Sequence, residues 1–196
     1  MAINFFKLNI EPASASEFVS NWSKFYNEGK YSDREYEKSL NRNGLLRPQD
    51  IQFLLEWKNG KPLSKPKQAI ADNVKRQISK MNEFRRLPKV TNRDFEELWS
   101  FVSSIINYGI VWKAFLVHIS RPDDYPIVDQ HVFRAWKFLT ENRIIEPDQT
   151  LENYNEYKDF FFCLARQSKE GLRSVDQALM TFGQFLNSQF SVVDFI

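Results

Sequence analysis

The residues best placed to do chemistry lie in one stretch, Asp123-Asp124-Tyr125-Pro126-Ile127-Val128-Asp129-Gln130-His131-Val132-Phe133-Arg134-Ala135. Val132, Ala135, Trp136 and Leu139 stand at i, i+3, i+4 and i+7, which predicts a helix with one buried face after Asp129. Asp129 then stands at or beside its N-terminus. There the unpaired backbone N–H groups and the positive end of the helix dipole keep a carboxylate ionised and oriented. Such a group suits a catalytic carboxylate and a helix cap equally well. His131 is expected as a hydrogen-bonding neighbour of Asp129. Arg134 is expected to pair with a carboxylate or a phosphate, the structural pairing being the commoner outcome. His118 and His131 are the two histidines of the chain, and no spacing joins them to a set of carboxylates, so no metal or other cofactor is expected. His118 is read as a residue at the edge of the core.

The elements that must position these residues read as helices almost throughout. A helix from Ser16 to Glu28 ends at Gly29, and Ser32-Asp33-Arg34-Glu35 is a capping-box pattern opening a short helix that stops near Gly44. Pro48 starts a helix that runs to Asn59-Gly60. Lys61 to Lys67, with two prolines, is the best candidate for a lobe boundary or mobile loop, so the chain is expected as a single globular unit with possible lobes 1–60 and 61–196. One helix over 68–86 follows, with Ile70, Val74, Ile78 and Met81 inward. Thr91 caps a helix whose inner face is Phe95, Leu98, Val102, Ile105 and Ile106. Gly109 terminates it, and a second helix runs on to about Ile119, so the two form an αα-hairpin. Helices at about 151–167 and 174–188 complete an all-α set.

Composition narrows the class further. A hydrophobic content of 42% with 18 Phe marks a globular chain rather than a disordered one. No run approaches the length of a membrane span, and Met1 to Phe6 lacks the features of a signal peptide, so a cytoplasmic protein with no membrane contact is expected. The net charge of +2 hides an asymmetry. Between Lys58 and Lys89 ten Lys/Arg face only Asp72 and Glu83, a local +8 that leaves −6 on the rest. Such a segment fits either a polyanion or a solvated helix face. The absence of a Gly-rich phosphate loop, a Gly-x-Ser-x-Gly elbow and a Cys-x-x-Cys pair disfavours nucleotide hydrolysis, esterase chemistry and zinc ribbons.

Pro126-Ile127-Val128-Asp129-Gln130-His131-Val132-Phe133-Arg134 resembles the signature of the helix-hairpin-helix DNA glycosylases, the superfamily of endonuclease III and the adenine glycosylase. There a Gly/Pro-rich loop leads to a catalytic Asp that opens a helix, and His131, Phe133 and Arg134 fall where close relatives of endonuclease III carry the same residue types. Asn107-Tyr108-Gly109-Ile110-Val111-Trp112-Lys113 stands where that superfamily carries a Leu-Pro-Gly-x-Gly-x-Lys hairpin. Gly109 matches its first glycine and Lys113 the lysine that forms a Schiff base in bifunctional members, while Tyr108 and Val111 depart from it. Val175 to Leu186, with Asp176 and Phe182-Gly183, is similar to the superfamily's last barrel-closing helix. The resemblance covers roughly residues 91–190. The single cysteine, Cys163, excludes the four-cysteine iron–sulfur cluster of many of these proteins.

The resemblance implies a helix-hairpin-helix glycosylase-like fold and hydrolysis of the N-glycosidic bond of a flipped base, with Asp129 as catalytic carboxylate and Lys113 as an amine for strand cleavage. DNA is then the expected partner, contacted by Gly109, Tyr108 and Trp112 of the hairpin and by Lys75, Arg76, Lys80, Arg85 and Arg86. Trp112 and Tyr108 would stack on bases, although core packing is the commoner fate of such aromatics. The alternative is a relative that has lost catalysis and binds nucleic acid or a protein partner through 58–89.

Overall fold

The computed structural model describes residues 12–27, 33–41, 44–60, 62–107, 109–144 and 150–187. Every regular element among them is helical. They are α1 (Ala15–Trp22), which tightens into a 3₁₀ turn over Ser23–Phe25, α2 (Asp33–Leu40), α3 (Pro48–Asn59), α4 (Lys65–Arg76), α5 (Ile78–Arg86), α6 (Asn92–Ile105), α7 (Ile110–Ser120), α8 (Gln130–Glu141), α9 (Leu151–Ser168) and α10 (Leu172–Leu186). The all-α expectation holds.

Local chemistry sets most boundaries. Ser14 with Glu17, and Thr91 with Asp94, form reciprocal capping boxes at α1 and α6. Pro48 stands in the first turn of α3, and Gly60, at φ 68°, ends it in the left-handed conformation that a side chain disfavours. Gly109 takes φ 66° as the cap of α7. Ser32 and Gly29, read as a cap and a terminator, lie outside the described residues, as does Tyr108.

Several boundaries differ from the reading above. α2 stops at Leu40 rather than near Gly44, and α6 ends at Ile105, capped by Ile106, so Gly109 opens α7 instead of terminating α6. α1 stops at Trp22 rather than Glu28, because Tyr26 turns extended and its phenol oxygen accepts from Arg173 Nη2 at 2.9 Å. The helix expected over 68–86 begins at Lys65, since Pro66 is tolerated in a first turn, and breaks at Gln77 (φ −109°, ψ 18°) into α4 and α5. Neither glycine nor proline marks that break; packing decides it, with Val74 and Met81 fully buried on either side. Leu139, expected on the inner face of α8, is 40% exposed, while Val132, Ala135 and Trp136 are buried.

A single core runs from Val19 of α1 to Leu186 of α10, so the first 60 residues do not enclose a core of their own. α1 packs on α9 and α10, α3 on α2 and α4, and α6 on α7. Residues Ala114 to Ser120 of α7 are all buried. α8 packs directly on α10. There a Cβ on Gly183 would stand 1.9 Å from the His131 carbonyl oxygen, so only glycine permits this approach. No helix among the described residues is long and apolar enough to cross a membrane.

Candidate functional site

Four helix ends converge on a cleft of about 380 Å³. α3 brings Trp57, Lys58 and Asn59, α7 brings Val111 and Trp112, the start of α8 brings Asp129, Gln130 and His131, and α10 brings Arg173, Asp176 and Met180. Tyr26 and Lys67 complete the wall with Ile127. The volume lies in the range of roughly 300–1,000 Å³ usual for small-ligand sites.

Asp129 caps α8. Its Oδ1 accepts from the backbone N–H groups of His131 (2.8 Å) and Val132 (3.0 Å), which fixes the carboxylate plane. Its Oδ2 faces Lys58 Nζ at 3.8 Å, and that ammonium donates to the Val128 carbonyl at 3.0 Å. The Lys58 side chain is only 8% exposed and its charge stands 5.7 Å from the centre of the Phe115 ring.

The loop that delivers Asp129 is held one carbonyl at a time. Tyr125 O bonds His118 Nδ1 (2.6 Å), Pro126 O accepts from Tyr154 Oη (3.2 Å), Ile127 O from Tyr157 Oη (3.1 Å) and Val128 O from Lys58. Because Tyr125 O is an acceptor only, His118 Nδ1 must carry the proton, which leaves Nε2 to accept from the Tyr36 hydroxyl. Four successive acceptors satisfied from α7, α9 and α3 leave the loop little freedom. His118 is therefore buried in a hydrogen-bond relay rather than at the core edge.

A second ionic group contributes Arg173 and Asp176 to the wall. Arg173 Nε donates to Asp33 Oδ2 at 3.0 Å, and its two terminal nitrogens donate closely to Asp33 Oδ1 and Asp176 Oδ2. The guanidinium lies 5.0, 5.2 and 5.6 Å from the ring centres of Tyr26, Tyr36 and Trp57. Burial pushes the Asp176 carboxyl up to about 6, Arg173 drawing it back while Asp129 and Asp33 add to the rise. Burial likewise holds the His131 imidazole below its ordinary value, against the pull of Asp129.

Of the residues singled out in the sequence, Asp129, His131 and Trp112 meet in this cleft, with Lys67 Nζ 4.9 Å above the Trp112 ring. Lys113 is half-buried on α7 and does not line it; the lysine that reaches Asp129 is Lys58. Gly109 is exposed at the α7 cap. Arg134 is 3% exposed between α8 and α10, where Nη1 donates to Gly183 O at 3.4 Å and stands 3.3 Å from His131 Nδ1, so it is closed to a phosphate.

None of the five basic residues singled out in α4 and α5 lines the cleft. Arg85 donates to the carbonyls of Gly44, Ile119, Leu40 and Asn41. Lys75 bonds Gln52 and Asp72, and Lys80 pairs with Glu83 at 3.2 Å, while Arg76 and Arg86 are exposed. The sequence reading gave no site role to Lys58, Trp57, Tyr26, Asp33, Arg173 or Asp176. Lys58 stood out only as the head of the basic run and Asp33 only in a capping pattern, while Arg173 and Asp176, three apart at the start of a helix, left the signal of an ion pair.

Comparison with protein families, characterised proteins and solved structures finds no match to this chain.

Proposed function

We propose that the chain is a DNA N-glycosylase and that this cleft receives a flipped base and its sugar. The reading is carried by Asp129, a carboxylate fixed by two backbone N–H groups at a helix start and presented in a cleft walled by Trp57, Trp112 and Tyr26. Cleaving an N-glycosidic bond builds positive charge on the sugar, and a preoriented carboxylate stabilises that charge and orients the attacking water. The aromatic walls suit the base, since a base taken out of the duplex stack needs faces to stack on. Lys58, held beside Asp129, keeps the carboxylate in place. Where strand cleavage accompanies base release, Lys58 and not Lys113 is the amine within reach.

The resemblance at 126–134 and the αα-hairpin preceding it favour DNA as substrate over a free nucleoside. The test is base release from end-labelled duplexes carrying uracil, oxidised purines, oxidised pyrimidines, alkylated bases or an abasic site, with and without alkali. Asp129→Asn is expected to lower release on the order of 10³-fold, the scale set by losing one preorganised charge-stabilising group. Asn still caps α8, so the variant stays folded. Wild-type release that survives Asp129→Asn unchanged would remove this reading. Salt-sensitive duplex retardation with no release from any substrate would leave a binding relative without catalysis.

A further inference from the structure

The mechanism above uses one carboxylate, yet the cleft holds two. Asp129 stands at a helix N-terminus, its Oδ1 accepting from two backbone N–H groups. Asp176 lines the same cleft, its side chain 13% exposed and bonded through Oδ2 to Arg173, and burial disfavours its charge. Two carboxyl groups thus line one site, one engaged by backbone N–H groups and the other drawn by burial toward its protonated form, an arrangement able to divide base from acid work.

We propose that Asp176 is the proton donor to the leaving base in the reaction that Asp129 assists. This rests on the glycosylase reading. Asp176 transfers its proton to a ring nitrogen or oxygen of the base as the C1′–N bond breaks, and the electron pair of that bond departs with the base. Water adds to C1′ and loses its proton to the Asp129 carboxylate. Solvent then takes that proton from Asp129 and returns one to Asp176, so a nucleotide and water yield a free base and a sugar hydroxyl.

The charged and titratable groups around Asp176 fit the role. Arg173 and Lys58 favour its anion, whereas Asp129 and Asp33 favour its acid, and burial decides for the acid, with a value of about 6. The Tyr26 and Tyr157 phenols couple to it electrostatically and are themselves pushed up by burial, so they stay protonated through the working range. Arg173 stays charged throughout, held by Asp176 and Asp33 against its own burial. Arg173 acts as the positioning residue: its close bond to Asp176 Oδ2 fixes one carboxyl oxygen and leaves the other for the base.

The discriminating pair of substrates is a neutral base, such as uracil, and a base that already carries positive charge, such as N7-methylguanine, which departs without a proton. Single-turnover release by the wild-type protein is measured from pH 5 to 8.5 on each substrate of the panel that it cleaves. For neutral bases the rate is expected to be level below about 6 and to fall about tenfold per pH unit above it, as the protonated fraction does. Methylated purine release is expected to lack that limb. Asp176→Asn should slow neutral bases at least 100-fold, consistent with the loss of one general acid, and change cationic bases less than threefold. His131→Gln should keep the limb, which separates Asp176 from the other group titrating in the cleft.

The same limb on both substrate types, or neutral-base release unchanged in Asp176→Asn, overturns the assignment while the glycosylase reading stands. Equal loss on both substrate types in a folded Asp176→Asn reduces Asp176 to scaffold and overturns it as well. The wild-type pH profiles need no variant, so misfolding of Asp176→Asn would not shelter the proposal. No release from any duplex by the wild-type protein sinks the glycosylase reading, and this inference with it.

Discussion

Two arginines, Arg85 and Arg173, tie distant parts of the chain together, and they do it with opposite partners. Arg85 of α5 donates to four backbone carbonyls, on Leu40, Asn41, Gly44 and Ile119. Arg173 of α10 binds two carboxylates, Asp33 and Asp176, and a phenol, among three aromatic rings. Carbonyl oxygens do not titrate, and the Asp50 carboxylate that also couples to Arg85 has its proton affinity lowered, so the staple holds equally at pH 5 and pH 8. Carboxylates do titrate, and two of them around one guanidinium leave a surplus negative charge that burial makes costly. Only the second arrangement places a group with a displaced proton affinity beside a cleft. A buried cation is thus read by what it is bonded to, and not by its burial.

The largest effect on stability is expected from removing the staple. Arg85→Ala strips donors from four carbonyls and should cost roughly 4 kcal/mol, read by urea unfolding, with Arg85→Lys recovering little because one ammonium cannot serve a fork of acceptors. The loss should be the same at pH 5 and pH 8; a strong pH dependence would break the contrast with Arg173.

Asp176→Asn should act in the opposite direction. The folded-state value of about 6 lies above the usual 3.8, so the fold favours the protonated form. The stability this contributes is complete below about 3.8 and is lost as the pH rises to about 6. Above that the wild type carries a buried anion that the Asn variant lacks. The variant should therefore gain up to about 3 kcal/mol at pH 7.5 and nothing at pH 4, measured by unfolding at both. Equal stability of the two proteins at both pH values would remove the distinction drawn between the two arginines.

Gly183→Ala should cost about 2 kcal/mol by forcing α10 off α8 at the His131 carbonyl. Since α8 carries Asp129, base release should fall alongside stability, whereas Arg85→Ala at a temperature where it is folded should leave release intact. The smallest effect is Thr91→Ala, about 1 kcal/mol from the lost cap of α6, with no change in cleft chemistry.

Capping boxes, turn glycines and prolines were legible because each acts through neighbours a few residues away. Thr91 with Asp94, Pro48 and Gly60 mark their boundaries by local geometry alone. Asp129 was legible for the same reason, its bonds running to residues two and three positions on. Lys113 attracted attention by its place after Gly109, and the charge run at 58–89 by its density. Nothing local could show that Lys58 of that run turns to Asp129, 71 residues away, or that Arg85 turns inward to bind carbonyls. The break at Gln77 was hidden too, because no residue there forbids a helix and only the packing of Val74 and Met81 selects it.

By itself the sequence determined an all-α chain, most of its helix starts and the carboxylate at the head of α8, because periodicity and capping are contacts between near neighbours. The tertiary structure decided which lysine faces that carboxylate, which four side chains hold the loop before it, and that Asp176 is raised by its surroundings. Those are properties of groups far apart in the chain. Proton affinity and orientation depend on burial and on charges brought within a few ångströms, and neither exists until the helices have packed.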